Sequence, residues 1–358
     1  MERFVLKNFT LIRTVIAILL GVAISVVLII LISSEPGYSL RQFFLGQLLS
    51  RSRLANIIEN ASPMIFTGVA IAIVFQAKQF NIGAEGAFYL SAAVGTAFAV
   101  STSMPALLHI PATLAVAALT GMLYGAIPGV LKAKLGASEL VASIMMNYVA
   151  YYFGLYLINF HFRDLDAGFL VSLRMPETSL LPQIVEGTRI HLGVVFAVLT
   201  ALGGYFFLYH TTAGYELRTT GNNKSFARFG GVNVVKVIIL CQVIGGAVAG
   251  FGGMTEVMGI HRRFSWQISP GYGWDGVIVA IIGRNHPLLI IPAALFLSYM
   301  RIGGQVLNLM SDIPSELVSV IQAVIIILIT ANAFLSQWKD RITIREVARE
   351  EGLNESAS

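Results

Sequence analysis

The chain has 358 residues, 56% of them hydrophobic and only 12% charged, whereas soluble domains carry about 25% charged residues. Apolar runs of membrane length recur throughout, and the alternating segments of about 10 residues that build a spanning β-barrel do not. The net charge of +5 therefore points to basic loops beside a bilayer and not to nucleic acid. Cys241 is the single cysteine, which excludes an intrachain disulfide. No cysteine or histidine cluster suggests a metal, and there is no phosphate-binding loop, nucleophile elbow or dinucleotide fingerprint. Energy for any work must come from a partner.

Arg3, Lys7 and Arg13 precede an apolar run from Thr14 to Ile32. It is longer than a signal-peptide core and lacks an Ala-x-Ala-like site, so it is expected to be a retained first helix with its N-terminus in the cytoplasm. Across residues 41–60, Arg41, Arg51 and Arg53 interleave with Phe43, Phe44, Leu48 and Leu49, the pattern of an interfacial amphipathic helix. Pro63 opens a short run, Met64 to Phe75, which as a helix would span about 18 Å, less than the about 30 Å of hydrocarbon. Then comes Gln79-Phe80-Asn81-Ile82-Gly83-Ala84-Glu85-Gly86. A carboxylate in such apolar surroundings is costly and marks a functional position.

A third segment is expected from Ala87 to Ser101, with Pro105 and Pro111 bracketing the next loop, and a fourth from Ala112 to Leu131. In the fourth, Gly121 and Gly125 have the spacing that permits close helix contact. Lys132 and Lys134 follow, as expected of a cytoplasmic loop. The fifth segment, Glu139 to Ile158, carries Asn147 at mid-helix. Residues 159–190 form the longest polar loop, which falls on the outer side by segment count. The sixth runs from His191 to Tyr209. The most polar inner loop, 211–231, follows; its middle can form a short helix, with Phe226 and Phe229 three apart among Lys224 and Arg228.

The seventh segment, Val235 to Met254, is rich in glycine. After His261-Arg262-Arg263, which either meets a partner or is a solvated turn, comes Gly271-Tyr272-Gly273-Trp274-Asp275-Gly276. Val277 to Ile282 is far too short to span. Leu288 to Met300 and Leu317 to Leu335 complete the set, and the tail carries Lys339, Arg341, Arg345 and Arg349. Gly83-Ala84-Glu85-Gly86 and Gly273-Trp274-Asp275-Gly276 both read Gly-x-acid-Gly, a little over half the chain apart, and each stands beside a short apolar segment. That is the pattern of a duplicated transporter with broken helices near its pathway. The expected fold is an all-α polytopic membrane protein of about ten transmembrane segments, some short or broken, with a weak internal duplication and both termini inside.

Four ordered stretches carry a resemblance. They are Phe80–Gly86, Glu139–Tyr148, Gly230–Asn233 with Ala249–Gly253, and Gly273–Ala280. The chain resembles the permease subunits of bacterial ABC importers for branched-chain amino acids, simple sugars and nucleosides. Within that family it resembles most the nucleoside-type permeases that work with a basic-membrane-protein lipoprotein. The resemblance covers about residues 60–335; the 159–190 loop and the N-terminal extension match none of its signatures. The apolar runs make 1–335 the expected transmembrane permease domain, and the basic tail 336–358 reads as cytoplasmic; the resemblance implies a multi-pass protein of the bacterial cytoplasmic membrane. The resemblance also implies two ATPase subunits that hold ATP and Mg, a second permease that is often a different, shorter chain, an external binding lipoprotein, and no cofactor or catalysis in this chain. Residues 211–231 stand where such a permease couples to its ATPase, which assigns Tyr215, Arg218, Asn222, Phe226, Arg228 and Phe229 to coupling.

Asn81, Glu85, Asn147, Trp274 and Asp275 are the candidate pathway residues. Two roles are open to Glu85 and Asp275: lining the pathway, or capping the helices that follow them, since an acid in a helix's first turn suits the macrodipole. Asn81 either meets a substrate hydroxyl or base edge or caps a break, and Asn147 either meets substrate or bonds another helix. Trp274 either stacks on a nucleobase or anchors an interface. The expected function is ATP-driven import of nucleosides. A simple sugar is the alternative substrate, and an ion-coupled carrier using Glu85 and Asp275 is the rival from another class. An intramembrane enzyme would need paired catalytic groups at workable spacing, and the sequence shows none.

Overall fold

The computed structural model describes residues 9–314 and four positions beyond, 320, 323, 324 and 327. The expected run Leu317–Leu335, apart from those positions, and the tail 336–358 lie outside the described residues, as do Arg3 and Lys7. Among the described residues the regular structure is helical, with two isolated β-bridges in the long polar loop. The chain is an all-α polytopic membrane protein; among the described residues six helices are long and apolar enough to cross a bilayer, and there are shorter apolar ones.

Two compact units divide the chain. One comprises the two ends, up to Leu49 and from Met300 onward. It holds α1 (Phe9–Ile32) and α2 (Pro36–Phe44). Ser33 Oγ donates to Asp312 Oδ1 at 2.8 Å and the Ser34 N–H to Oδ2 at 2.7 Å. These bonds hold the Asp312 carboxyl at about 2, below the usual carboxylate range.

The other unit, Ser50–Tyr299, carries the candidate site. Its helices are α3 (Arg51–Gln76), α4 (Ala84–Ser101), α5 (Ala106–Leu135), α6 (Glu139–His161) and α7 (Leu192–His210). The short α8 (Thr212–Asn222) and α9 (Lys224–Phe229) follow. Then come α10 (Val234–Glu256), which runs on into a π turn at Val257–His261, α11 (Tyr272–Ile282) and α12 (Pro287–Met310), which continues past Tyr299 into the first unit.

The 41–60 stretch and the short run after Pro63 are not separate elements. From Arg51 onward they form one helix of 26 residues, α3. Every residue from Ala61 to Val74 is buried, and Ala55, Ile57 and Glu59 extend the buried face upstream. A helix hydrophobic all round is a core helix, and its packing carries it through Pro63. Only the second acid motif therefore adjoins a short helix. Pro111, expected at a loop boundary, lies inside α5, in its second turn, where it removes one intrahelical hydrogen bond without ending the helix.

Glycine sets how closely the core helices approach. A Cβ on Gly121 of α5 would stand 2.1 Å from the Gly246 carbonyl oxygen on α10, and one on Gly246 would stand 2.1 Å from the Gly121 carbonyl. The two backbones touch there without intervening side chains, as small residues permit in membrane bundles. The short helices are capped from their own sequence. Thr211 Oγ1 accepts from the Gly214 N–H at 3.1 Å, and Asn223 Oδ1 accepts from the Phe226 N–H at 3.0 Å.

Candidate functional site: a broken crossing and its cavity

Between α3 and α4 the chain passes through residues 77–83 without regular structure, pinned by two asparagines. Asn81 Oδ1 accepts from the Gly83 N–H at 2.5 Å, and its Nδ2 donates to Gln242 Oε1 on α10. Asn147, on α6, donates from Nδ2 to the Ile82 carbonyl at 3.1 Å. Its Oδ1 accepts from the Gly86 N–H at 2.9 Å and from the Tyr124 hydroxyl at 2.8 Å. Gly86 is required here, because a Cβ would stand 2.3 Å from the Tyr124 hydroxyl oxygen.

Glu85, 3% exposed, follows in the first turn of α4. Its Oε1 accepts from Ser269 Oγ and, at 2.8 Å, from the Gly271 N–H; its Oε2 accepts from the Gly273 N–H at 2.5 Å. The carboxylate of the first motif thus holds the backbone of the second, at the N-terminus of α11, where helix N–H groups lack internal partners and the dipole favours an anion. Gly273 lies so close that a Cβ would be 2.3 Å from the Glu85 nitrogen. Asp275 lies one position beyond Trp274, buried in the first turn of α11.

Residues 262–271 lead from the end of α10 to this point without regular structure. At their start, the Ser172 N–H donates to the Phe264 carbonyl and the Met175 N–H to the Arg262 carbonyl, both from the long polar loop. At their finish they reach Glu85. α11 then runs to the opposite end of the bundle, where Gln76 Nε2 donates to the Asn285 carbonyl at 3.1 Å. Irregular backbone at membrane depth is tolerated only where protein buries it or a cavity adjoins it. Here both hold. A cavity of about 360 Å³ is lined by Glu85, Tyr89, Asn147, Tyr148, Tyr151 and Trp274 among others, within the size range of small-ligand sites. Trp274 and Tyr148 are exposed on its open side. The hydroxyls of Tyr89 and Tyr151 instead hold the carbonyls of Trp266 and Gln267, at 2.8 and 2.6 Å.

Of the five candidate pathway residues, the structure brings Glu85, Asn147 and Trp274 to this cavity, whereas Asp275 is buried and does not line it. Asn81 faces a smaller space of about 20 Å³ with Tyr124 and Gln242. The sequence reading missed Tyr89, Tyr151 and Ser269. Tyr148 and Tyr151, three apart on α6 and so on one face, were the available signal.

At the end of the bundle carrying α8 and α9, Leu217 and Ala227 are buried and fix the two helices. Tyr215, Asn222, Phe226, Arg228 and Phe229 are exposed, Phe229 to 93%. Arg218 turns back instead: its guanidinium lies over the Tyr209 ring, 4.8 Å from the centroid. Exposed aromatics grouped on short polar helices mark a contact surface.

Residues 53–330 match the family model described as branched-chain amino acid transport system / permease component. The chain belongs to this family. The permease is 35% identical over 331 residues to the guanosine ABC transporter permease protein NupP of Bacillus subtilis, which covers 88% of this chain and 92% of the relative. It is 29% identical over 335 residues to the glucose ABC transporter permease protein TsgB13 of Haloferax volcanii, covering 91% and 88%. It is also 28% identical over 328 residues to the nucleoside ABC transporter permease protein NupB of Lactococcus lactis, covering 88% and 90%. No solved structure matches the chain. The permease is a membrane-spanning transport component of an ABC importer, a class that works with ATPase and binding-protein partners.

Proposed function

We propose that the permease imports nucleosides across the bacterial cytoplasmic membrane, with both its termini in the cytoplasm. The observation that carries this reading is the cavity, whose open side presents the flat faces of Trp274 and Tyr148 beside the polar groups of Asn147 and Ser269. Every nucleobase has a π face to stack on such rings, and a ribose offers hydroxyls to the polar groups. The relatives named for guanosine and nucleosides support the same reading. Trp274 contacts the substrate directly. Asn81, Glu85, Asn147 and Asp275 shape the pathway by fixing the backbone around it.

An external lipoprotein delivers the nucleoside to the end bearing the 159–190 loop. ATP and Mg act on the partner ATPases, which dock on Tyr215, Asn222, Phe226, Arg228 and Phe229, while Arg218 braces that surface from within. A second permease chain completes the membrane unit, and the bundle alternates access around the broken crossing. The permease makes and breaks no covalent bond. An ion-coupled carrier is less favoured, because the Glu85 oxygens already accept three hydrogen bonds.

A sugar is the second reading, favoured by the glucose-permease relative. Uptake of labelled guanosine and uridine, with and without the gene and with unlabelled ribose as competitor, separates the two. Loss of nucleoside uptake on deletion, insensitive to ribose, is expected. Unchanged nucleoside uptake in a strain without other nucleoside carriers would overturn the proposal in favour of sugars.

A further inference from the structure

We infer that α11 is the element the ATPase-facing helices move, and that Gln76 and the ring pair Tyr209–His286 are the positioning residues that carry the motion to the cavity. This rests on the docking role proposed for α8 and α9.

The C-terminal end of α11 closes in a tight turn. Arg284 and Asn285 both take left-handed backbone, φ +56° and +55°, although neither is glycine, so the surroundings must hold them there. Two routes connect this turn to α8, and they share no residue. In the first, a Cβ on Gly221 of α8 would stand 2.0 Å from the Gln76 carbonyl oxygen, so the helix abuts the end of α3 directly. The Gln76 side chain in turn donates to the Asn285 carbonyl. In the second, Arg218 of α8 lies over the Tyr209 ring, and that ring packs on His286 with centroids 5.2 Å apart. Tyr205 supports the same imidazole at 5.6 Å.

This junction is also short of hydrogen bonds. Arg218 Nε, Thr220 Oγ1, Asn285 Oδ1 and His286 Nδ1 are buried without a hydrogen-bond partner among the described residues. Native proteins rarely leave such groups orphaned, and a cluster of them calls for an explanation. These unmet groups leave the present arrangement of the junction incompletely bonded, as expected of an element with a second arrangement to occupy.

The rest of α11 is built to follow. It sits closely on α3: Gly276 lies against Thr67, where a Cβ would be 2.5 Å from Oγ1, Thr67 Oγ1 donates to the Tyr272 carbonyl at 2.8 Å, and Val279 lies against Gly68. A short continuous helix held in this way moves as one body. From Trp274 to its last residue, Ile282, the helix rises about 12 Å. A displacement at the turn therefore arrives at Trp274 on the cavity wall and at Gly271 and Gly273 under Glu85.

The test uses the assembled transporter with its ATPases, second permease and binding protein, carrying Gln76→Leu, Tyr209→Leu or His286→Ala, with Tyr209→Phe as the variant that keeps the ring. A further pair carries Ile268→Cys at the cavity, with and without Gln76→Leu; the native Cys241 is buried. Expected are normal ATPase association and basal hydrolysis within twofold of the parent, uptake reduced at least tenfold, and loss of stimulation by the loaded binding protein. Tyr209→Phe restores coupling. Maleimide labelling of Ile268→Cys changes at least threefold on nucleotide trapping, and that change disappears with Gln76→Leu. Coupled uptake at parental level in all three variants, or a labelling change that persists with Gln76→Leu, overturns the inference. Loss of basal hydrolysis in step with loss of assembled complex also overturns it, because the residues would then be structural supports only. If Phe226→Ala with Phe229→Ala leaves ATPase association intact, the docking reading itself has failed, and the two failures are distinguishable.

Discussion

Glu85 and His191 show two ways of keeping an ionisable group inside a bundle. Glu85 gathers three donors from a segment far along the chain. His191 stays neutral: its buried ring accepts the Gly193 N–H at Nδ1, 3.1 Å away, and caps α7, while burial pushes its pKa from 6.5 down to about 4. The sign of the pH effect follows. Below 6.5 the unfolded chain takes up a proton that the folded ring refuses until about pH 4, so this contribution is complete above 6.5 and drains away as pH falls between those values. Between pH 7 and 5 the loss is about 2 kcal/mol. In detergent, the parent should lose more thermal stability over that interval than His191→Asn, which keeps a capping oxygen and cannot titrate. Equal losses would show that His191 does not titrate as described. At this scale the sequence marked Glu85, because a charge among apolar residues is conspicuous. It was silent about Ser269, Gly271 and Gly273 as partners, because a contact across so many positions leaves no local pattern.

At the scale of elements, close glycine contacts decide which helices can pair. Gly246 faces the Gly121 carbonyl with no room for a side chain, whereas Gly203 on α7 has nothing within 4 Å of where its Cβ would be. Gly246→Leu should abolish recovery of monodisperse permease from membranes, and Gly203→Leu should leave it near the parental level, as read by size-exclusion chromatography. Similar recovery of both would contradict the α5–α10 contact. Gly121 was legible from its spacing with Gly125. α3 was not: Arg51 and Arg53 suggested an interface, and Pro63 suggested a start. Nothing local shows that Ala55, Ile57 and Glu59 are buried, because tertiary packing, not propensity, extends the helix.

For the whole molecule, the fold class was plain in the sequence because hydrocarbon thickness dictates the length of apolar runs. Which polar residues meet at the cavity was not, since that depends on α4, α6 and α11 converging. The outward rings of α8 and α9 carry the prediction that belongs to this scale. Phe226→Ala with Phe229→Ala should leave the permease folded, remove ATPase subunits from the purified complex, and lower uptake at least tenfold. An intact complex with normal uptake would place the docking surface elsewhere.

The broken crossing has a further consequence, for parity. Residues 262–271 enter from one end of the bundle and α11 leaves at the other, so an irregular stretch and an 11-residue helix together make one full passage. A topology count that admits only membrane-length helices drops this passage and assigns the start of α12, at Pro287, to the wrong side. Reporter fusions placed just before Arg262 and just after Gly283 should therefore read opposite compartments, although no long helix separates them.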